Sequence, residues 1–251
     1  NTFLGFEAGK SNSIGNANAF VGERAGFLNS SGNGNVFMGY WAGTANTTGE
    51  DNVFIGRTAG LANETGAANI FIGSDAGHLN STGSDNTFIG YNSGYSNSTG
   101  ISNTFIGYLA GNSNLTASAN TFVGSEAGRG NATGFQNTLI GYNAGYSSGS
   151  GSNNVFLGDQ CGFNNNSGSY NTFIGRAAGY ANYTGSGNVF IGFNAGHDEA
   201  GSDKLYIDNS ATATPLIQGD FAADSLQVNG TFQVTGATVL DAGASVQGDL
   251  D

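Results

Sequence analysis

Asn103-Thr-Phe-Ile-Gly107 is one of twelve copies of a five-residue phrase that starts at Asn1, Asn18, Asn35 and every 17 residues thereafter to Asn188, with no insertion or deletion between copies. A strict period of this length predicts a solenoid in which each copy is one coil. Positions within a coil are called columns 1 to 17, counted from that Asn. Columns 2 to 4 read Thr/Val/Ile/Ala, then Phe, then Ile/Leu/Val/Met, which is strand chemistry, and Leu139 alone replaces the Phe. Neighbouring strand residues point to opposite faces, so Phe54 and Ile55 cannot share one lumen. None of the twelve phrases contains a charge. A strand that is apolar on both sides needs cover on both, and a lone solenoid covers only one. The second ladder is therefore expected to be buried against other copies of the chain.

Working outward from the phrase, columns 8 and 9 read Ala-Gly, as in Ala59-Gly60, and small residues there allow close backbone approach. Columns 12 to 15 usually read Asn-x-Thr/Ser-Gly, as in Asn80 to Gly83, a turn composition in which Gly would supply positive φ. The expected coil is strand, tight turn, short second strand, turn. Twelve such coils at the spacing of paired strands would make a rod of about 55 Å. The column 1 Asn is expected to form a ladder of side-chain amides (Asn52, Asn69, Asn86, Asn103) beside a ladder of phenylalanines (Phe54, Phe71, Phe88, Phe105).

The chain has 251 residues, only 10% of them charged, and a net charge of −12 from scarce Lys and Arg. That balance argues against nucleic acid or anionic lipid as partner. Of 44 glycines, 34 fall in columns 5, 9 and 15, so the composition is periodic rather than disordered. Cys161 takes column 8, where ten copies have Ala, and reads as a small buried residue; with one cysteine, no disulfide within the chain is possible. No apolar run approaches the roughly 18 residues of a membrane helix, and no signal-peptide pattern is present. The first residue already lies on a repeat strand, which suggests a piece of something longer.

The twelfth coil turns polar at His197, Asp198, Glu199, Asp203 and Lys204, as a terminating coil would. Three segments are expected: a repeat domain 1–204, a neck 205–224 with two short strands, and a segment 225–251 with a six-residue period. The last carries Val228, Val234, Leu240 and Val246, with Gly230, Gly236, Ala242 and Gly248. So short a hexad tail suits three chains wound about one axis, each giving one face per turn.

The Asn-x-Phe-Ile-Gly…Ala-Gly repeat with Asn-x-Thr-Gly turns resembles the head repeats of trimeric autotransporter adhesins. It is more closely similar to repeats of bacterial and phage fibre proteins that carry an endosialidase-type chaperone, including the mosaic adhesive trimers of predatory bacteria. Lys204-Leu-Tyr-Ile-Asp-Asn209 and Pro215-Leu-Ile-Gln-Gly-Asp-Phe221 are the most specific part of the likeness, which covers residues 1 to about 240. The resemblance implies an all-β fold, a left-handed parallel β-roll followed by an intertwined trimeric stalk, in a homotrimeric fibre outside the cell that serves adhesion to a cell-surface glycan or protein receptor.

Aromatic residues recur beside the Ala-Gly turn: Tyr40 with Trp41, Tyr91 and Tyr95, Tyr142 and Tyr146, Phe163, Tyr180. Exposed, they would be stacking platforms for sugar rings; otherwise they pack across rungs or between chains. A glycan-cleaving tailspike would need paired carboxylates. Glu7, Asp75 and Glu126 share column 7 but lie four and three rungs apart, and Glu7 with Glu23 reads as a surface pair with Arg24. His78 and His197 are seven rungs apart, and no ligand-spaced cluster suggests a metal or cofactor. Nine Asn-x-Ser/Thr sequons, from Asn29 to Asn182, are explained by turn chemistry. Two further readings are a passive fibre spacer and an ice-binding face, the latter from six consecutive turns, Asn46/Thr48 to Asn131/Thr133, stacking Asn with Thr.

Overall fold

A computed structural model describes residues 1–235. Columns 2 to 4 of each coil form a three-residue strand: β1 (Thr2–Leu4), β2 (Ala19–Val21), β3 (Val36–Met38), β4 (Val53–Ile55), β5 (Ile70–Ile72), β6 (Thr87–Ile89), β7 (Thr104–Ile106), β8 (Thr121–Val123), β9 (Thr138–Ile140), β10 (Val155–Leu157), β11 (Thr172–Ile174) and β12 (Val189–Ile191). Consecutive strands of this series pair in parallel in a register of 17, for example Phe88 with Phe105, so the chain is a twelve-coil β-solenoid.

The expected second strand of each coil is not formed, because the rest of the coil is a run of turns. Its backbone is nonetheless satisfied from rung to rung. The column 9 amide donates to the carbonyl of column 8 one coil on, as Gly94 to Ala110 at 2.9 Å, and the column 7 amide donates one coil back, as Leu109 to Tyr91 at 3.0 Å. Those turns need left-handed residues in columns 7, 9 and 17, such as Leu109 (φ 53°), Gly111 (φ 57°) and Ala119 (φ 59°). The column 15 glycines do not supply positive φ, contrary to expectation. Gly32 sits where a Cβ would press on Asn29 Oδ1 and on Asn35 Nδ2, so close approach rather than chirality selects glycine there.

The lumen is narrow. Column 3 phenylalanines, fully buried from Phe20 onward, stack face to face at 4.7–4.9 Å from Phe3 to Phe122, resume at Phe156 and end on Tyr206. Leu139 is the interruption. The column 9 glycine is required by this stack, since a Cβ on Gly94 would stand 2.5 Å from the Phe88 ring. Column 8 alanines fill the remaining apolar space. Cys161 joins them as expected, its Sγ facing the Phe173 carbonyl at 3.2 Å, and burial pushes its thiol up to about 12, so it stays protonated at neutral pH.

The asparagine ladder of column 1 is present. Asn86 Oδ1 accepts from the amide and from Nδ2 of Asn103 at 3.0 and 3.1 Å, and Asn86 Nδ2 donates to the Gly100 carbonyl at 2.8 Å. A second buried ladder runs through column 12, where Asn97 Nδ2 donates to Asn80 Oδ1 at 2.7 Å and to Gly100 O at 3.1 Å. A typical coil thus closes on one Phe, one Ala and two Asn.

The twelfth coil is one residue shorter, and β13 (Lys204–Ile207) lies on β12 with Val189 opposite Leu205. β14 (Ile217–Asp220) and β15 (Ser225–Val228) then extend the same sheet in antiparallel fashion. Lys204 Nζ and Asp220 Oδ2 meet at 2.5 Å across β13 and β14. The lysine hydrogen bond holds the Asp220 carboxyl below its ordinary 3.8, and Asp220 holds Lys204 above its ordinary 10.5. The aspartate contributes stability that is full above 3.8 and lost as pH falls through its lowered value. The lysine contributes stability that is full below 10.5 and lost as pH rises through its raised value. NMR shifts of the β13 and β14 amides are therefore expected to hold steady between these limits and to move outside them, and Asp220→Asn is expected to abolish the acid-side movement. Of the hexad tail, Val228, Gly230 and Val234 are among the described residues; Gly236, Leu240, Ala242, Val246 and Gly248 lie outside them.

Candidate functional site

Three outward surfaces follow from the coil. The first is the outer face of the parallel sheet, formed by columns 2 and 4. Column 4 points away from the lumen in every coil, with Leu4, Met38, Ile106, Ile140, Leu157 and Ile174 exposed and the others half-buried. The second surface is column 6, two residues beyond, where Tyr40, Tyr91, Tyr108 and Tyr142 are each about half exposed. Tyr91 and Tyr108 lie 5.7 Å apart, whereas Tyr142 stands clear of other rings among the described residues.

The third is column 10, whose rings stack on one another. Tyr146, Phe163, Tyr180 and His197 form one pile at 4.9–5.0 Å, capped by the Arg129 guanidinium 5.3 Å from the Tyr146 ring. Tyr95 lies against His78 at 4.9 Å. Tyr146, Phe163 and Tyr180 are covered on both faces and offer a ligand only their edges, whereas in column 6 Tyr40, Tyr91 and Tyr108 each stack on one ring and Tyr142 on none among the described residues. Trp41 is in column 7, half-buried, with Tyr40 stacked beside it at 5.4 Å and Arg24 at 5.4 Å from its ring.

The acidic residues of column 7 are each held by their own cations. Glu7 meets Lys10 at 2.6 Å and Arg24 at 2.9 Å, and the Lys10 hydrogen bond leads in holding its carboxyl low. Glu126 meets Arg129 at 2.9 Å. Asp75 is the most enclosed, paired with Arg57 and accepting from Thr58 Oγ1 at 2.5 Å and Ser74 Oγ at 2.9 Å. Glu7 is thus committed to Arg24, in line with an ordinary surface pair. Among the described residues no group of three His, Cys, Asp or Glu is placed to hold a metal, and no helix is long and apolar enough to cross a membrane.

The turn asparagines are placed differently from the sequence reading. The nine sequon asparagines of the turns, Asn29 to Asn182, are fully buried in the column 12 ladder. The folded rod cannot carry glycans on them. Of the Asn46/Thr48 to Asn131/Thr133 face, only the column 14 threonines are exposed, so the two-residue polar lattice required of an ice-binding surface loses half its members.

No family model matches the chain, and neither does any curated protein or solved structure. The geometry therefore stands on its own: a β-solenoid repeat protein with an apolar sheet face, a row of open tyrosines and a row of stacked rings.

Proposed function

We propose that the chain is a segment of an extracellular homotrimeric fibre, in which the solenoid is a rigid rod that holds or presents an adhesive surface. The observation that carries this reading is the column 4 ladder. Apolar side chains stand outward on all twelve rungs, with uncharged column 2 beside them, so the face is continuous along the whole rod. A continuous apolar stripe of that length is far more than a soluble monomer normally exposes. Copies of the same chain, aligned in parallel, present the same ladder at the same spacing and cover it rung for rung. The column 6 tyrosines Tyr40, Tyr91 and Tyr142 are the best-placed candidates for stacking on sugars, and repeated weak contacts along the rod would add by multivalency.

Light scattering in native buffer tests the assembly: three times the chain mass is expected, and a monomer mass overturns the reading. The double variant Ile106→Lys, Ile140→Lys places charges on the outer face without entering the lumen. It is expected to shift the mass to that of a single chain while the circular dichroism spectrum is retained. A glycan array with the Tyr142→Ala variant as comparison separates a receptor-binding rod from a passive spacer, and a thermal hysteresis measurement addresses the threonine row.

A further inference from the structure

Coil 9, residues 137–153, breaks both interior ladders at once. Leu139 replaces the column 3 ring, and Ser148 replaces the column 12 asparagine. Three fully or nearly fully buried polar atoms, one in this coil and one in each neighbouring coil, have no hydrogen-bond partner: Asn131 Oδ1, Ser148 Oγ and Asn165 Oδ1.

The two asparagine oxygens are aimed at coil 9, and Ser148 Oγ lies within it, 2.6 Å from where a Cβ on Gly145 would be, beside the Leu139 side chain. From Asn12 to Asn114 each column 12 Oδ1 accepts from the next rung, as Asn114 Oδ1 does from Asn131 Nδ2 at 3.1 Å. Asn131 Oδ1 consequently faces coil 9, where no amide is present to donate. Asn165 is turned the other way round, donating forward to Asn182 Oδ1 at 3.3 Å, and its own Oδ1 stands 3.1 Å from where a Cβ on Gly151 of coil 9 would be. The Gly151 carbonyl is also short of a donor. In coils 1 to 8 the equivalent carbonyl accepts from two asparagines, as Gly49 does from Asn35 and Asn46 at 2.8 and 3.1 Å, whereas Gly151 accepts only from Asn137 at 2.8 Å, and Gly168 and Gly185 of the next two coils likewise have one asparagine donor each.

We infer that coil 9 encloses a buried hydration site, with water taking the place of the missing column 12 carboxamide. The atoms around the gap are acceptors, apart from the serine hydroxyl, so the occupant has to donate at least twice and accept at most once. A cation would supply charge, but none of these atoms belongs to a carboxylate, and an unpaired buried charge is costly. Water is neutral, matches the polarity, and is about the size of the atoms by which serine falls short of asparagine. Hydrated in this way, the coil trades direct side-chain bonds for exchangeable ones and is the interior rung at which the rod opens most readily.

The test uses the whole chain and the Ser148→Asn variant. A crystal structure that resolves ordered water is expected to show water within hydrogen-bond reach of Asn131 Oδ1 and Ser148 Oγ, and in the variant to show the introduced carboxamide in its place. Native-state hydrogen exchange is expected to slow about tenfold in coil 9 of the variant, the factor for one regained buried hydrogen bond. A dry gap, a direct bond from Ser148 to Asn131, or unchanged exchange in coil 9 would overturn the inference.

Discussion

Replacing Phe88 with alanine is expected to lower the stability of the rod by about 3–5 kcal/mol, the range for removing a buried aromatic ring. Phe88 is fully buried and stacked between Phe71 and Phe105, both at 4.9 Å. Its neighbours cannot collapse into the void, because each ring is pinned at its own rung by strand pairing, so the cavity term stays near its upper end. Phe88→Leu is expected to cost less than half as much, since Leu139 shows that the lumen accepts a branched aliphatic at the price of two stacking contacts. Guanidinium unfolding of the two variants against the parent chain checks both values. By contrast Ile89→Ala, one residue away but on the outer face, is expected to leave the unfolding of the single chain nearly unchanged.

Asn86→Ala is expected to be as damaging, by about 3–5 kcal/mol, for a different reason. The alanine removes a side chain of modest size but leaves the Asn103 amide and one demand of the Gly100 carbonyl without partners in a place water does not reach. Unlike Phe88→Leu, no conservative substitute exists. Asn86→Asp keeps the acceptor but turns a donor into a second acceptor facing the Gly100 carbonyl, and adds a buried charge, so it is expected to be worse than alanine at neutral pH and to improve as the solution is acidified. The midpoint of unfolding for the two variants, measured at neutral and acid pH, distinguishes the lost bonds from the buried charge.

Much of the coil was legible in the residues. The period set the rungs, and the alternation of Phe and Ile showed that only one of the two could enter the lumen, but not which; the buried phenylalanine stack decides it. The ladder of Asn52, Asn69, Asn86 and Asn103 followed from an invariant amide next to a buried strand. The second ladder was not read, since Asn-x-Thr-Gly has the same composition as a surface turn. A signal was nonetheless there: column 12 is nearly constant, while column 13 beside it includes Ser, Thr, Glu, Leu, Ala and Tyr. A turn asparagine at the surface has no reason to vary less than its neighbour. The missing second strand has a plainer cause. Coil-to-coil hydrogen bonds continue around the turns, but left-handed residues in columns 7, 9 and 17 prevent an extended run, and in column 7 those residues include Leu109 and Thr58, which announce no such conformation. Among the aromatic candidates the sequence reading did not separate open rings from piled ones, although the signal was present: Tyr142 has Ser125 and Asp159 in its column on the neighbouring rungs, whereas Tyr146 has Phe163.

The register of 17 has a consequence for how such a rod changes over time. Every rung meets only the rungs before and after it, and each closes a loop of the same size, so the entropy of closing a coil does not grow with the length of the molecule. Inserting or deleting one whole 17-residue unit away from coil 9 and the ends would leave every interior ladder intact and change the reach of the rod by a single strand spacing, about 4.8 Å. Its length is thus a counted quantity, adjustable in whole steps by duplication of a short stretch of gene, with no new interface to invent.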